Sequence, residues 1–168
     1  MTYSKYTKQL LLTWTLFLLA NSVFAQNNWE QFRGPNGNGH IDAPDLAERW
    51  SEGNNVVWKT SIHDRGWSSP VIWENQIWVT TATIDGSKLF AVCLDKSSGK
   101  ILHDKHIFDV ENPQRIAADN SYATPTSVID TAHVYVHYGT YGTACLNRKT
   151  AEVIWTRRDL NCDHEAGA

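Results

Sequence analysis

Four side chains of this sequence are the best suited to bind a ligand: the aromatic residues Trp67 and Tyr122, and the arginines Arg33 and Arg65. Aromatic ring faces bind flat or sugar-like molecules with little loss of conformational entropy. A guanidinium group can pair with an anion through two parallel hydrogen bonds. Each residue also has a structural interpretation, because aromatic rings fill space between sheets and an arginine in a glycine-rich loop commonly bonds backbone carbonyls. The sequence leaves both interpretations open.

The acidic and histidine side chains form no arrangement that is typical of catalysis. Asp64, Asp119 and Asp163 stand in loops without a partner at an informative spacing, so none is assigned the role of a general base. The run from Cys162 to Glu165 supplies too few ligands to hold a metal ion, and the histidines show no metal-ligand spacing. The sequence contains no phosphate-binding loop, dinucleotide fingerprint or nucleophile elbow. No residue is therefore predicted to be catalytic or metal-binding.

The elements that must position these side chains repeat along the chain. One unit has four blocks, at residues 67–72, 76–81, 90–95 and 99–103, and a second unit has matching blocks at residues 122–129, 133–137, 142–147 and 151–155. The equivalent prolines Pro70 and Pro125 lie 55 positions apart. Four matching blocks in one order indicate an internal repeat. Trp67 and Tyr122 occupy equivalent positions in it, each just before the first strand of its unit.

Each block is short, rich in β-branched and aromatic residues, and bounded by turn residues, so each predicts a β-strand. The second block of each unit does not alternate strictly, which is expected where both faces of a sheet are covered. Asp95 and Gly99 predict a tight turn, since Asp can bond its own backbone and Gly can take a positive φ. Four strands joined by short turns form a meander. The sequence therefore predicts an all-β fold of repeated four-stranded antiparallel sheets.

The cysteines do not predict a disulfide. Cys93 and Cys145 stand at equivalent points of the two units. Stacked sheets lie roughly 10 Å apart, whereas a disulfide requires Cα atoms within roughly 7 Å. Both residues are therefore predicted to be small buried apolar side chains.

The strand-and-turn segment resembles the signature of pyrroloquinoline-quinone-like (PQQ-like) propeller repeats, Ala-x-Asp-x-x-Thr-Gly-x-x-x-Trp. It corresponds to residues 93–103 in the first unit and 145–155 in the second. Cys replaces the Ala in both units and His103 replaces the Trp in the first, while Asn147 and Ala151 replace the Asp and Gly in the second. The resemblance implies a β-propeller built from four-stranded antiparallel blades.

The opening of the chain resembles one exported bacterial group of these propellers, in which Trp-x-x-Phe-Arg-Gly-Pro-x-Gly follows the signal peptide. Residues 29–37 match that pattern. In this family the first strand after the opening loop commonly completes the last blade, a role that residues 55–62 fit. Since a ring needs 4–8 blades, the resemblance implies an N-terminal fragment. About two blades and a closing strand are then present, the ring is incomplete, and the missing C-terminal blades are its partners.

The first 25 residues predict a secretory signal peptide. Lys5 and Lys8 precede an apolar stretch, and Val23 and Ala25 supply the short residues before a cleavage point. The predicted division is then a signal peptide at residues 1–25, an N-terminal loop region at 26–54, and a partial propeller at 55–168 with units at about 64–108 and 120–160. Export to the periplasm or the extracellular space is expected, with no membrane anchor after cleavage.

The charge of the mature chain argues against nucleic-acid and membrane partners. The full sequence carries 15 Lys and Arg against 18 Asp and Glu. Loss of the signal peptide removes two lysines and leaves a net charge of −5. A mildly acidic chain without a basic stripe lacks the electrostatic surface that both partner classes require.

Three functions are open at this point. The first is a non-catalytic binding or scaffold protein whose ligand is a protein, a small molecule or a carbohydrate. The second, implied by the resemblance alone, is a PQQ-dependent alcohol or sugar dehydrogenase that uses calcium, with its active-site residues in the missing blades. The third is a polysaccharide-binding module, suggested by the aromatic content. No cofactor is evident outside the second function, since the adjacent cysteine pair of the true dehydrogenases is absent from the sequence.

Overall fold

The computed structural model describes residues 28–43, 46–160 and 162 of this chain. The predicted signal peptide, Asp163 and His164 lie outside the described residues. Eight strands form two four-stranded antiparallel sheets, each in sequential order. The first sheet contains β1 (Val71–Trp73), β2 (Gln76–Ala82), β3 (Lys88–Asp95) and β4 (Ile101–Asp109); the second contains β5 (Val128–Ile129), β6 (His133–His137), β7 (Thr143–Asn147) and β8 (Val153–Arg157).

The predicted all-β class and the two antiparallel four-stranded units are confirmed. A short 3-10 turn at Gly139–Tyr141 is the one helical element of the described residues. No helix within them has the length and apolar character needed to cross a membrane. The two sheets do not close into a ring.

Both faces of the sheets are covered at their centres, as the mixed sequence pattern predicts. In β3 four consecutive residues are buried, and Trp78 in β2 is fully buried. The two units also place equivalent side chains in the same register across three strands. Trp78 faces Cys93, which faces His103 in the first sheet, and Tyr135, Cys145 and Trp155 form the same row in the second. His103 stacks on Trp78 with ring centroids 6.1 Å apart.

Cys93 and Cys145 are free and buried, which confirms the prediction that they form no disulfide. Burial raises the pKa of the Cys93 thiol to about 12. Burial likewise raises the pKa of Cys145. Both side chains therefore stay neutral and act as small apolar core residues.

The turn that follows the third strand has the same hydrogen bonds in both units. The Oδ1 atom of Asp95 accepts bonds from the backbone N–H of Ser97 and Ser98 at 3.0 and 2.8 Å. Asn147 does the same for the two equivalent residues of the second unit, at 2.9 and 3.1 Å. Gly99 has φ +71° and the equivalent Ala151 has φ +56°. The second turn therefore keeps the left-handed geometry without the glycine that normally occupies it.

The Ala151→Gly substitution is expected to stabilise the protein by about 0.5–1 kcal/mol. A left-handed alanine costs roughly 1–2 kcal/mol, and the greater entropy that glycine loses on folding, about 0.4–1 kcal/mol, offsets part of the gain. Gly99→Ala is the matched control and should destabilise, since its Cβ would lie 2.5 Å from the Trp58 ring. Urea denaturation of both variants measures the difference. A lower midpoint for Ala151→Gly would show that the turn is not strained.

Polar bonds join the two sheets beside their apolar core. Arg148, which lies in the second turn, is only 5% exposed. It reaches into the first sheet, where its guanidinium lies 3.1 Å from the Glu74 carboxylate and 3.3 Å from the Gln76 side chain. The hydroxyl of the buried Tyr138, which follows β6, donates to the Phe90 carbonyl in β3 of the first sheet at 2.7 Å. The sheets thus pack side by side as neighbours.

The N-terminal segment contacts the first strand of each sheet. Trp29 and Ile72 in β1 exchange two backbone hydrogen bonds of 2.8 Å. One residue later, the Glu30 carbonyl accepts a bond of 2.9 Å from the N–H of Ile129 in β5. Gly34 allows the following turn to fold against the Trp29 ring, because a Cβ there would lie 2.7 Å from that ring. Residues 29 and 30 therefore span the edge where β1 and β5 adjoin.

The prediction that residues 55–62 form a strand that completes the last blade stays a prediction, because the resemblance places its partner strands in the C-terminal blades. A strand requires a hydrogen-bonded neighbour, and none of the described strands pairs with this segment. It lies instead along the first turn, where Trp58 Nε1 donates to the Lys96 carbonyl at 2.9 Å and Thr60 Oγ1 donates to the Gly99 carbonyl at 2.6 Å. Val57 is 87% exposed.

Candidate functional site

The segment that carries Arg65 and Trp67 lies between the two sheets. Arg65 exchanges two backbone hydrogen bonds with Ala82 at the end of β2, of 3.1 and 2.9 Å. The backbone N–H of Trp67 donates to the Ala123 carbonyl of the second unit at 3.0 Å. Ser121 Oγ donates to the Arg65 carbonyl at 3.0 Å. Bonds from both units therefore fix this segment, so that its side chains have a defined position.

Trp67 presents a half-exposed ring at this junction. Its side chain is 54% exposed, and its Nε1 donates to the Asp119 carbonyl at 2.8 Å. The Arg65 guanidinium lies 5.8 Å from the ring centroid. The ring is thus held at both its polar edge and one face while much of its area remains in water. The ring therefore has a fixed position and an exposed face that is available to a ligand.

Two pockets adjoin this segment and share only Arg65. The groove beside Trp67 has a volume of about 350 Å³ and is also lined by His63, Asp64 and Thr80. The pocket on the other side has a volume of about 260 Å³ and includes Arg115. We call them the Trp67 groove and the Arg115 pocket.

The structure separates the four side chains proposed for binding. Tyr122 is only 8% exposed, and its hydroxyl donates to the Gln114 carbonyl at 2.7 Å. Its ring therefore packs inside the protein, although one edge lines the Arg115 pocket. Arg33 lies in the N-terminal turn with φ +62° and its guanidinium over Phe32. It lines neither pocket, and its carbonyl accepts a bond from Gly39. Arg65 lies beside Trp67 at the Trp67 groove and lines the Arg115 pocket together with Tyr122, whereas Arg33 lies apart from all three.

A histidine of the Trp67 groove bridges two carboxylates, and no spacing in the sequence indicated this arrangement. His63 Nδ1 lies 2.6 Å from Asp64 and its Nε2 lies 3.1 Å from Asp104 in β4. The hydrogen bond with Asp64 is the main cause that raises the pKa of His63. Since both nitrogens face carboxylates, both act as donors, which favours the imidazolium form. Asp64, for which the sequence showed no partner, thus has one.

The backbone at Asp64 is left-handed, with φ +59°. Such a conformation is uncommon for a residue other than glycine and is concentrated at functional sites. Here it directs the carboxylate onto the adjacent imidazole. His63 thus stands between two carboxylates beside the groove, and His63 and Asp64 offer polar groups to a ligand there.

Within the described residues, no group of three or more His, Cys, Asp and Glu side chains is arranged to hold a metal ion. No known protein-family model matches the chain, and no characterised protein is significantly similar to it.

Proposed function

We propose that this chain is a non-catalytic binding protein of the exported, PQQ-like propeller type, and that its ligand contacts the Trp67 ring. The observation that carries the proposal is the Trp67 ring, which is exposed and is fixed by the bond from its Nε1 to the Asp119 carbonyl and by the Arg65 guanidinium. Two neighbouring four-stranded sheets, related by equivalent rows and equivalent turns, are consistent with two blades of a propeller. Trp67 lies at the side of the first strands, which are the inner strands in that architecture.

The chemistry of the Trp67 groove favours a carbohydrate as the ligand. A sugar presents an apolar face that an indole ring covers, and hydroxyl groups that carboxylates and guanidinium groups bond. The groove offers all three, in Trp67, Asp64 and Arg65. A purely apolar ligand would cover the Arg65 guanidinium without bonding it, which costs free energy.

Trp67→Ala is expected to weaken binding of β-linked glucan and chitin oligosaccharides by about 30-fold. A tryptophan that becomes covered by the ligand on binding contributes about 2 kcal/mol or more to the binding free energy. Isothermal titration with tetrasaccharides of each type measures the affinities. Trp50→Ala is the matched control, because Trp50 is 72% exposed and lines neither pocket. It should bind as the unsubstituted chain does.

Two results would contradict this proposal. If no oligosaccharide binds the unsubstituted chain, the carbohydrate assignment is wrong. If Trp67→Ala and Trp50→Ala bind equally, the ligand does not use the Trp67 ring. The dehydrogenase alternative is tested in parallel by adding PQQ and calcium and following alcohol-dependent dye reduction. Reduction of the dye would replace the binding function with an enzymatic one.

A further inference from the structure

We infer that the Arg115 pocket binds the oxyanion group of a small organic molecule, either a carboxylate or a phosphate. This site goes beyond the proposed function, because it has only Arg65 in common with the Trp67 groove. The group bound there would belong either to a separate molecule or to a charged substituent of the ligand in the Trp67 groove.

The charge of the pocket is positive. Arg65 and Arg115 both line it, and none of the described residues that line it is acidic. Asp64, which precedes Arg65, does not line the pocket and bonds His63 instead. Asp85 bonds the backbone N–H and the hydroxyl of Ser87 at 3.0 and 2.8 Å, and Asp119 is not among the lining residues. Two guanidinium groups without an opposing carboxylate favour an anionic ligand.

The two arginines have donors available for that ligand. Arg65 makes only long bonds, of 3.4 and 3.5 Å, from Nη1 to the carbonyls of Ala118 and Asn120. Arg115 makes no hydrogen bond or ion pair with another part of the chain that the structure describes. A guanidinium group carries five N–H donors in a planar fork that matches the geometry of a carboxylate or phosphate. Both side chains line the pocket and have donors for an oxyanion there.

The remaining walls set the size and character of the ligand. Ile84, Ile116 and the edge of Tyr122 supply apolar surface, and the volume is about 260 Å³. This is close to the lower limit of ordinary small-molecule sites. The pocket therefore suits a compact molecule with one ring or a short apolar chain beside its anionic group.

Three probes of similar shape test this inference by isothermal titration of the full chain: benzoate, phenyl phosphate and benzyl alcohol. The two anions are expected to bind, and the neutral alcohol is expected to bind at least about ten-fold more weakly, since it cannot pair with the guanidinium groups. The stronger of the two anions identifies the ligand as carboxylate or phosphate. Binding of the anions should weaken with added salt.

Arg115→Gln should weaken binding of the preferred anion by at least about ten-fold. Arg49→Gln removes the same charge from an exposed arginine that lines neither pocket, and should leave the affinity within about two-fold. The inference is overturned if no anion binds, if benzyl alcohol binds equally well, or if both substitutions have the same effect. Trp67→Ala should retain anion binding. If the unsubstituted chain binds the anion but no oligosaccharide, only the proposed function is contradicted.

Discussion

Trp78→Ala is expected to lower the free energy of unfolding by about 3–5 kcal/mol. The Trp78 side chain is completely buried in β2, in the cluster that also contains Val71 and Cys93. It stacks on His103 and its Nε1 donates to the Gln76 side chain at 3.3 Å. Its loss removes transfer free energy and leaves a cavity that the surrounding strands close only in part. Since domains are stable by about 5–15 kcal/mol in total, the variant should be close to unfolding.

Chemical denaturation with a fluorescence or circular dichroism signal measures this loss. The control is Trp50→Ala, the same substitution at a residue that is 72% exposed, which should change stability by at most about 0.5 kcal/mol. The two variants must have a similar dependence on denaturant for the comparison to be valid. Equal stabilities would show that Trp78 and Cys93 do not form the core of the first sheet.

Gly66→Ala is expected to displace the segment that carries Arg65 and Trp67, with a stability loss of about 1–3 kcal/mol and loss of ligand binding. A Cβ at Gly66 would lie 2.1 Å from the Thr80 carbonyl oxygen. The clash is with backbone inside β2, so rotation of a side chain cannot relieve it. The segment must move away from β2, which breaks the backbone pairing of Arg65 with Ala82.

Gly53→Ala is the matched control, since no atom lies within 4 Å of its added Cβ. It should keep both stability and binding. Denaturation reports the first quantity, and titration with the tetrasaccharides and with the anionic probes reports the second. Gly66 lies between Arg65, which lines both pockets, and Trp67, which lines the Trp67 groove. Its substitution should therefore weaken carbohydrate binding and anion binding together. Retention of both would show that the position of this segment does not determine the sites.

Features that depend on local chemistry could be predicted from the sequence. The turn at Asp95 and Gly99 forms because a carboxylate bonds nearby N–H groups and a glycine takes positive φ, and both effects act within six residues. The strands followed from blocks of β-branched and aromatic residues. Even the substitution of Ala151 for glycine left the turn intact, because Asn147 supplies the same side-chain bonds as Asp95.

Features that depend on distant residues could not be predicted. β4 continues to Asp109, beyond the predicted end at His103, because it pairs along the full length of β3. Equivalent positions also differ in burial. Trp67 is half-exposed, whereas Tyr122 is buried and its hydroxyl donates to the carbonyl of Gln114 in the connection that precedes it. Contacts of this kind depend on how connections run between strands, which no local pattern encodes.

The same limit applies to the candidate site. His63 meets Asp104 across 41 positions of sequence, and Arg65 shares a pocket with Arg115 across a similar separation. Neither pair has a spacing that a motif could reveal. The positive φ of Asp64 was equally hidden, because aspartate adopts ordinary conformations in most loops. The sequence could identify Arg65 and Trp67 as candidates only from their residue types and their position before a strand.

The opening residues have a consequence for how the chain folds. Trp29 pairs with β1, about forty residues later in the chain. Glu30 bonds Ile129, so formation of that bond closes a loop of about a hundred residues. Such distant closure is slow compared with the formation of hairpins. Both bonds exist together only when the first and second sheets already stand side by side. The opening segment therefore couples the two sheets in a single cooperative transition, and separate melting of the sheets is not expected.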